Sequence, residues 1–248
     1  MDDVILYFAC KYFGDWERIY IAIQEQEEVD FEKVKELKRK FKNNYLTIVN
    51  KNYPKKLRQI NKPPFIIFFK GKKELFEKNN IMWYYGSYYN DIYNKEAIKH
   101  KKELKILRIP QITGFTNSFE KNLLYNIDLE DLIIVKDSGI DSYINMTKIE
   151  EKNFLEKNLI ISEYPSKVMP SFQTWDMSNR IKAGLSKNLF LLNSTKDPIT
   201  FKLIAKCIDF HKNIFCFNKN IDTKSHNLVL IKKGACGIEG MKEIKNYE

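Results

Sequence analysis

Residues 160–188 read IISEYPSKVMPSFQTWDMSNRIKAGLSKN. The run 159–161 is short and wholly apolar, as expected of a strand buried on both faces. Pro165 and Pro170 break the chain after it into a loop, and a helix is predicted from near Asp176, over 176–186. That helix carries Asn179, Arg180 and Lys182. A polar, aromatic and basic set thus falls where a strand ends and a helix begins. In an open α/β sheet that edge is where ligands bind. The chain has five arginines (Arg18, Arg39, Arg58, Arg108 and Arg180), so one at this edge is informative.

The same alternation extends outward in both directions. Apolar runs at 65–69, 81–85, 132–135, 189–192, 214–217 and 228–231 predict further strands. Amphipathic stretches near 93–103, 118–126, 147–157 and 198–211 predict helices between them. Continuous apolar runs alternating with helices are the pattern of a doubly wound, mostly parallel sheet. Residues 1–44 differ. Gly14-Asp15 is a break with a cap residue, Asp30 stands before 31–42, and Phe31, Val34, Leu37 and Phe41 fall on one helical face. The expected organisation is a small helical module over 1–44 and an α/β domain over 45–248.

With 44% hydrophobic and 14% aromatic residues the chain can bury a sizeable core, which argues against global disorder. Its net charge of +10 suits an anionic partner: nucleic acid, membrane surface or phosphorylated ligand. Nearly all of that charge is lysine, and lysine, asparagine, isoleucine and tyrosine are abundant throughout, so compositional bias explains it equally well. Cys10, Cys207, Cys216 and Cys236 show no C-x-x-C spacing, and His100, His211 and His226 are scattered. No metal site is expected. The opening MDDVILYFAC lacks the basic start of a signal peptide, and no apolar run spans a bilayer, so a cytoplasmic protein is expected and the sequons at Asn145 and Asn193 carry no weight.

Three loops carry candidate chemistry. Gly86-Ser87 follows the run 81–85 and precedes a helix, where free N–H groups and close backbone approach suit an anion. Ile112-Thr113-Gly114 repeats that arrangement after a short apolar stretch of Ile106, Leu107 and Ile109. In the third loop Trp175 is either a base-stacking platform or core. Asn179 either bonds a base edge or braces the loop, and Arg180 either binds phosphate or guanine or pairs with Glu163. The aromatic cluster Trp83, Tyr84, Tyr85, Tyr88 and Tyr89 reads foremost as core. No Ser-His-Asp order, paired-carboxylate motif or P-loop is present.

The order of these motifs resembles the DprA/Smf family of DNA-processing proteins. Residues 53–71, YPKKLRQINKPPFIIFFKG, are close to the family's opening pattern YP..L..I..PP..LF.KG. Gly86-Ser87-Tyr88 stands in the slot of its G-S/T-R loop, without the arginine. Residues 113–120 occupy the slot of its second glycine loop, much altered, and Ser138-Gly139-Ile140-Asp141-Ser142-Tyr143 is similar to a later segment. SEYP (162–165) is intact, and WDMSNRIKAGLS (175–186) is similar to F-P-x-R-N-R-I-I-A-G-L-S, with Ser178 in place of the first arginine. NLVLIKKGA (227–235) is similar to the closing motif.

The resemblance implies a Rossmann-like domain that binds single-stranded DNA at the sheet's C-terminal edge. It also implies a homodimer that hands the strand to a RecA-type recombinase in natural transformation or recombination, without catalysis or cofactor. It further implies that residues 1–44 are a helical module of the SAM or helix-hairpin kind. Carried over by position, the DNA pocket uses Gly86, Ser87 and Tyr88, then Gly114 and Asn117, then Trp175, Asn179 and Arg180. Lys182 and Lys196 supply charge. Two other readings compete: a nucleotide-binding or nucleotide-hydrolysing enzyme, with Glu163 and Asp141 as its carboxylates, and a degenerate homologue kept for protein contact.

Overall fold

The computed structural model describes residues 1–42, 44–125, 130–142, 151–219 and 221–247. Tyr143, Asn145 and the first residues of the helix predicted over 147–157 lie outside the described residues. Among the described residues nine strands form one sheet: β1 (Tyr45–Thr47), β2 (Ile66–Gly71), β3 (Met82–Gly86), β4 (Gln111–Thr113), β5 (Leu132–Val135), β6 (Leu159–Ser162), β7 (Asn188–Asn193), β8 (Asn213–Phe217) and β9 (Cys236–Ile238). Their order is β1-β2-β6-β5-β4-β3-β7-β8-β9. From β6 to β9 all neighbours are parallel, whereas β2 runs antiparallel to both β6 and β1. The chain winds outward from β3 through β4 and β5 to β6, returns to the far side of β3 for β7, and winds outward again. The switch point of the winding therefore lies between β3 and β7.

The helices are α1 (Asp2–Lys11), α2 (Trp16–Gln24), α3 (Phe31–Phe41), α4 (Lys55–Arg58), α5 (Asp91–Leu107), α6 (Ser118–Tyr125), α7 (Glu151–Lys157), α8 (Phe172–Leu185), α9 (Pro198–Asp209) and α10 (Asn227–Lys232). Both sheet faces are covered, which is why the strands read as continuous apolar runs rather than alternating ones. On one face Ile67, Trp83, Ile133, Ile161 and Leu191 pack with Ile181 and Leu185 of α8 and Leu203 and Ile204 of α9. On the other, Phe68, Ile134 and Ile160 meet Ile5, Leu6 and Phe8 of α1 and Phe41 of α3. Further along that face Tyr84, Phe190 and Phe217 meet Tyr93 and Leu104 of α5 and Phe119 of α6. The predicted caps are in place: Asp15 accepts from the N–H of Arg18 and Asp30 from that of Lys33.

Three expectations are corrected. Residues 228–231 are helix, within α10, not strand. A four-residue apolar run does not distinguish the two, and here Leu230 and Ile231 face the core while Leu228 is 51% exposed. Asn227 fixes this helix by donating its side-chain amide to the carbonyls of Leu191, Leu192 and Phe217, at the ends of β7 and β8. The helix expected from Asp176 begins at Phe172, because Ser171 and Thr174 form a reciprocal capping box directly after Pro170. Trp175 therefore sits in the first turn of α8. The second glycine loop follows the strand 111–113, while Ile106 and Leu107 belong to the end of α5.

Candidate functional site

Three chain passages converge outside the carboxyl ends of β3, β4 and β7, and the N-terminal turn of α8 closes over them. A cavity of about 580 Å³ lies there, within the size range of small-ligand sites. Its wall includes Tyr85 and Ser87 after β3, Thr116 and Asn117 after β4, Asp137 after β5, Thr195, Asp197 and Ile199 after β7, and Phe172 and Trp175 of α8. It occupies the switch point, where an open α/β sheet leaves its crevice. Phe172 and Trp175 stack with ring centroids 5.6 Å apart. Phe172 and Ile199 of this wall are 55% and 45% exposed.

Of the predicted site residues, Ser87, Asn117 and Trp175 line the cavity. The others are placed elsewhere. Gly86 is the last residue of β3, and a Cβ there would meet the Phe119 ring at 2.9 Å; Gly114 is backed by the Glu120 carboxylate at the same distance. These glycines make room for the chain's own side chains. Tyr88 donates its hydroxyl to Asp222 (2.6 Å) and packs edge-on against Tyr93, so it is not presented as a stacking platform. Lys196 is exposed beside the mouth. Asn179, Arg180 and Lys182 are 1%, 4% and 2% exposed.

Arg180 corrects the phosphate expectation. Its Nη1 and Nη2 donate to the two carboxylate oxygens of Glu163 at 2.7 and 2.6 Å, and Nη1 and Nε also donate to the carbonyls of Met177 and Lys62. Burial pulls the guanidinium's pKa down, but the charge and hydrogen bonds of Glu163 outweigh it and leave it raised. The group is engaged within the protein and ties α8 to the end of β6. Asp141, the other carboxylate of the enzyme reading, accepts from Ser166 and pairs with Lys70 at 3.2 Å.

The loop amides that a phosphate would use are occupied. In the first loop the N–H groups of Ser87 and Tyr88 donate to Asn193 Oδ1 at 2.8 and 3.2 Å. In the second, Glu120 accepts from the N–H groups of Gly114, Thr116 and Asn117, and Asn117 Oδ1 returns a cap to the N–H of Glu120. Asn117 also donates to the Gly86 carbonyl at 3.1 Å, joining the two loops. The α9 start is capped by Asp197, which accepts from the N–H of Thr200 and the hydroxyls of Thr195 and Thr200. Burial raises its carboxyl, and these hydrogen bonds more than reverse that, leaving it below the usual carboxylate range. Replacing Glu120 by Ala leaves three buried or half-buried donors without their acceptor. A loss of about 1–3 kcal/mol in urea unfolding is expected, with Gln recovering part of it.

Among the described residues, the cavity wall contains the carboxylates of Asp137 and Asp197 and no lysine or arginine. Basic groups sit at its rim: Lys202 Nζ lies 4.4 Å from the centroid of the Phe172 ring, and Lys206 pairs with Asp176. Tyr85 remains a neutral phenol, its pKa pushed up to about 12 by burial and the charge of Glu120. An aromatic, hydrogen-bonding hollow with a basic rim suits a flat heteroaromatic ring with anionic groups left outside. The residues that the sequence reading missed (Phe172, Thr116, Asp137, Thr195 and Asp197) nevertheless left a signal. Each lies within a few residues of a strand's C-terminal end or of the capped start of α8.

The strand order and the hollow at its switch point define a Rossmann-like α/β fold. Residues 131–247 match the family model of DNA recombination-mediator protein A, and over that span the chain is similar to that family. Among solved structures, it superposes on DNA processing protein A from Streptococcus pneumoniae with a TM-score of 0.75 at 17% identity, over 99% of this chain and 93% of that one. It superposes on DNA processing protein A from Helicobacter pylori, described for its single-stranded DNA binding mode, with a TM-score of 0.70 at 19% identity, over 82% of this chain and 94% of that one. No curated protein matches. Among the described residues, no helix is long and apolar enough to cross a membrane, and no group of three or more His, Cys, Asp or Glu is placed to hold a metal ion.

Proposed function

We propose that this chain binds single-stranded DNA across the C-terminal edge of β3 and β7 and acts as a recombination mediator without catalysis. The observation that carries the reading is the hollow beside the stacked pair Phe172–Trp175, set at the switch point of a fold shared with DNA processing protein A. A base enters the hollow and stacks on the aromatic pair. The phosphates stay at the rim, near Lys196 and Lys202, because the loop amides are engaged and the wall is acidic. Arg180 holds α8 in place behind the site. The module over 1–44 and the domain over 45–248, a homodimer, delivery to a RecA-type recombinase, and a cytoplasmic role in DNA uptake or repair belong to the same proposal. Sizing chromatography and recombinase pull-down with a bound oligonucleotide test the last parts.

The central test is fluorescence anisotropy with a labelled 12-mer. Trp175→Ala and Phe172→Ala are each expected to weaken binding by about 1–3 kcal/mol, the range for a lost base–aromatic stack. Affinity for the wild type should fall steeply between two salt concentrations and favour single strand over duplex. Unchanged affinity in both variants removes the site. A protein that binds no oligonucleotide but retains a protein partner supports the reading of a degenerate homologue, which the occupied loop amides favour.

A further inference from the structure

The cavity has a polarity that a phosphate does not use. Asp137 stands in its wall and, among the described residues, accepts one hydrogen bond, a 3.2 Å contact from Thr116 Oγ1, leaving most of its carboxylate capacity open to them. The neighbouring Asp197, by contrast, is filled by Thr195 and Thr200. A half-exposed carboxylate in a hollow beside stacked rings calls for a ligand with N–H donors in the ring plane.

Behind Trp175 the complementary groups are donors. Trp175, Asn179 and Lys182 are spaced i, i+4 and i+7 on α8 and so share one face of it. The Asn179 Nδ2 is buried with no hydrogen-bond partner among the described residues. Lys182 is 2% exposed, and its ammonium lies 5.6 Å from the centroid of the Trp83 ring. Burial lowers the Lys182 pKa, while the charges of Glu120 and Asp137 act in the opposite sense, which places its ammonium within the field of the Asp137 carboxylate. Unpaired buried donors are rare and costly, and the Asn179 amide, on the helix face that carries the cavity's aromatic wall, marks a place where an acceptor is lacking.

We propose that the cavity reads the base it receives and favours guanine, with Asp137 accepting from the N1–H and N2–H₂ edge. This rests on the single-strand reading above. Guanine presents two adjacent donors to a carboxylate and a carbonyl beside them. Adenine and cytosine offer one exocyclic amine each. Thymine sets two carbonyl oxygens around its single N–H and meets the carboxylate least well.

The test is an anisotropy titration of thymidine 12-mers carrying one central dG, dA, dC or deoxyinosine, against dT12, with the wild-type chain and with Asp137→Asn. The dG oligonucleotide is expected to bind on the order of tenfold more tightly than dT12, the scale of a bidentate base contact. Deoxyinosine, which lacks the N2 amine, should fall between them. In Asp137→Asn the ratio of dG to dT12 affinity should collapse towards one. Equal wild-type affinity for all five oligonucleotides overturns the proposal while leaving single-strand binding intact, as does a dG preference that survives in Asp137→Asn. If that variant fails to fold, the wild-type order of dG, deoxyinosine and dT12 decides alone. Absence of binding to any oligonucleotide overturns the single-strand reading and this proposal with it.

Discussion

Arg180→Ala should unfold at markedly lower urea, with a stability loss of about 3–5 kcal/mol, the range for removing one partner of a buried ion pair. Arg180 and Glu163 are each 5% exposed at the side chain and meet through two short parallel hydrogen bonds. Removing the guanidinium strands the Glu163 carboxylate in the interior and frees the carbonyls of Lys62 and Met177. Glu163→Ala should cost a similar amount, because it strands a buried cation. The two losses should not add. The double variant Arg180→Met with Glu163→Leu removes both charges, fills the space with apolar atoms and is expected to recover much of the stability. A double-mutant cycle in urea measures the coupling. The binding arm separates this role from a DNA contact: the folded fraction of Arg180→Ala, kept at low temperature, should retain most of its oligonucleotide affinity. A variant of near wild-type stability that loses oligonucleotide binding returns Arg180 to the DNA surface.

This pair also shows where the sequence was sufficient and where it was not. The Glu163 pairing was one of two open readings of Arg180, and nothing in the residue order separated them. Whether a guanidinium turns towards a loop or a buried carboxylate depends on the rotation of α8, and that rotation follows from where the helix starts. The helix starts at Phe172 because Ser171 and Thr174 cap each other. The S-x-x-T spacing was available in the sequence, but its weight against Pro170 was not. The fold was more legible. Parallel strands buried on both faces leave continuous apolar runs, and the runs at 132–135 and 159–161 closely match β5 and β6. The failure at 228–231 has the opposite cause: Leu228 to Ile231 are apolar whether they form a strand or a half-exposed helix, and only the amide of Asn227 on the strand carbonyls fixes the outcome.

The loops were legible in position and not in use. Gly86 and Gly114 do stand at strand ends, as the spacing predicts. Their missing side chains are replaced by Phe119 and Glu120, both on α6, and this substitution of the chain's own groups for a ligand is invisible until the helix is placed. A carboxylate seated on three loop N–H groups does what a phosphate would do there. The arginine missing at Tyr88 is consistent with a first loop that no longer presents its amides outward.

A second large effect is expected from a residue outside the site. Lys101→Met should stabilise the protein at neutral pH, by an amount that shrinks as pH rises. Lys101 lies on the buried face of α5, 4% exposed, and its ammonium has no hydrogen-bond partner among the described residues. Burial alone pulls its pKa from 10.5 down to about 7. The unfolded chain then holds a proton that the folded chain has released between about 7 and 10.5, so this residue's contribution to stability rises with pH through that window and is lost as pH falls through it. At or below neutrality the cost is complete. At about 1.4 kcal/mol per pH unit it is on the order of 4–5 kcal/mol. Methionine has a similar length and no charge to desolvate, so it avoids that cost at every pH. Thiols at Cys10, Cys207 and Cys216, each pushed up to about 12 by burial, act in the opposite sense: their unfolded forms ionise near 9, so stability they contribute is lost above that pH. Those groups are common to both proteins and cancel in the difference. Urea unfolding of wild type and Lys101→Met at pH 6.5, 8 and 9.5 should therefore show a gap of several kcal/mol at the lowest pH, closing by about 1.4 kcal/mol per unit once above 7. A gap that stays constant across the series means that the ammonium is not desolvated in the folded state, and a destabilised variant means that it has an acceptor.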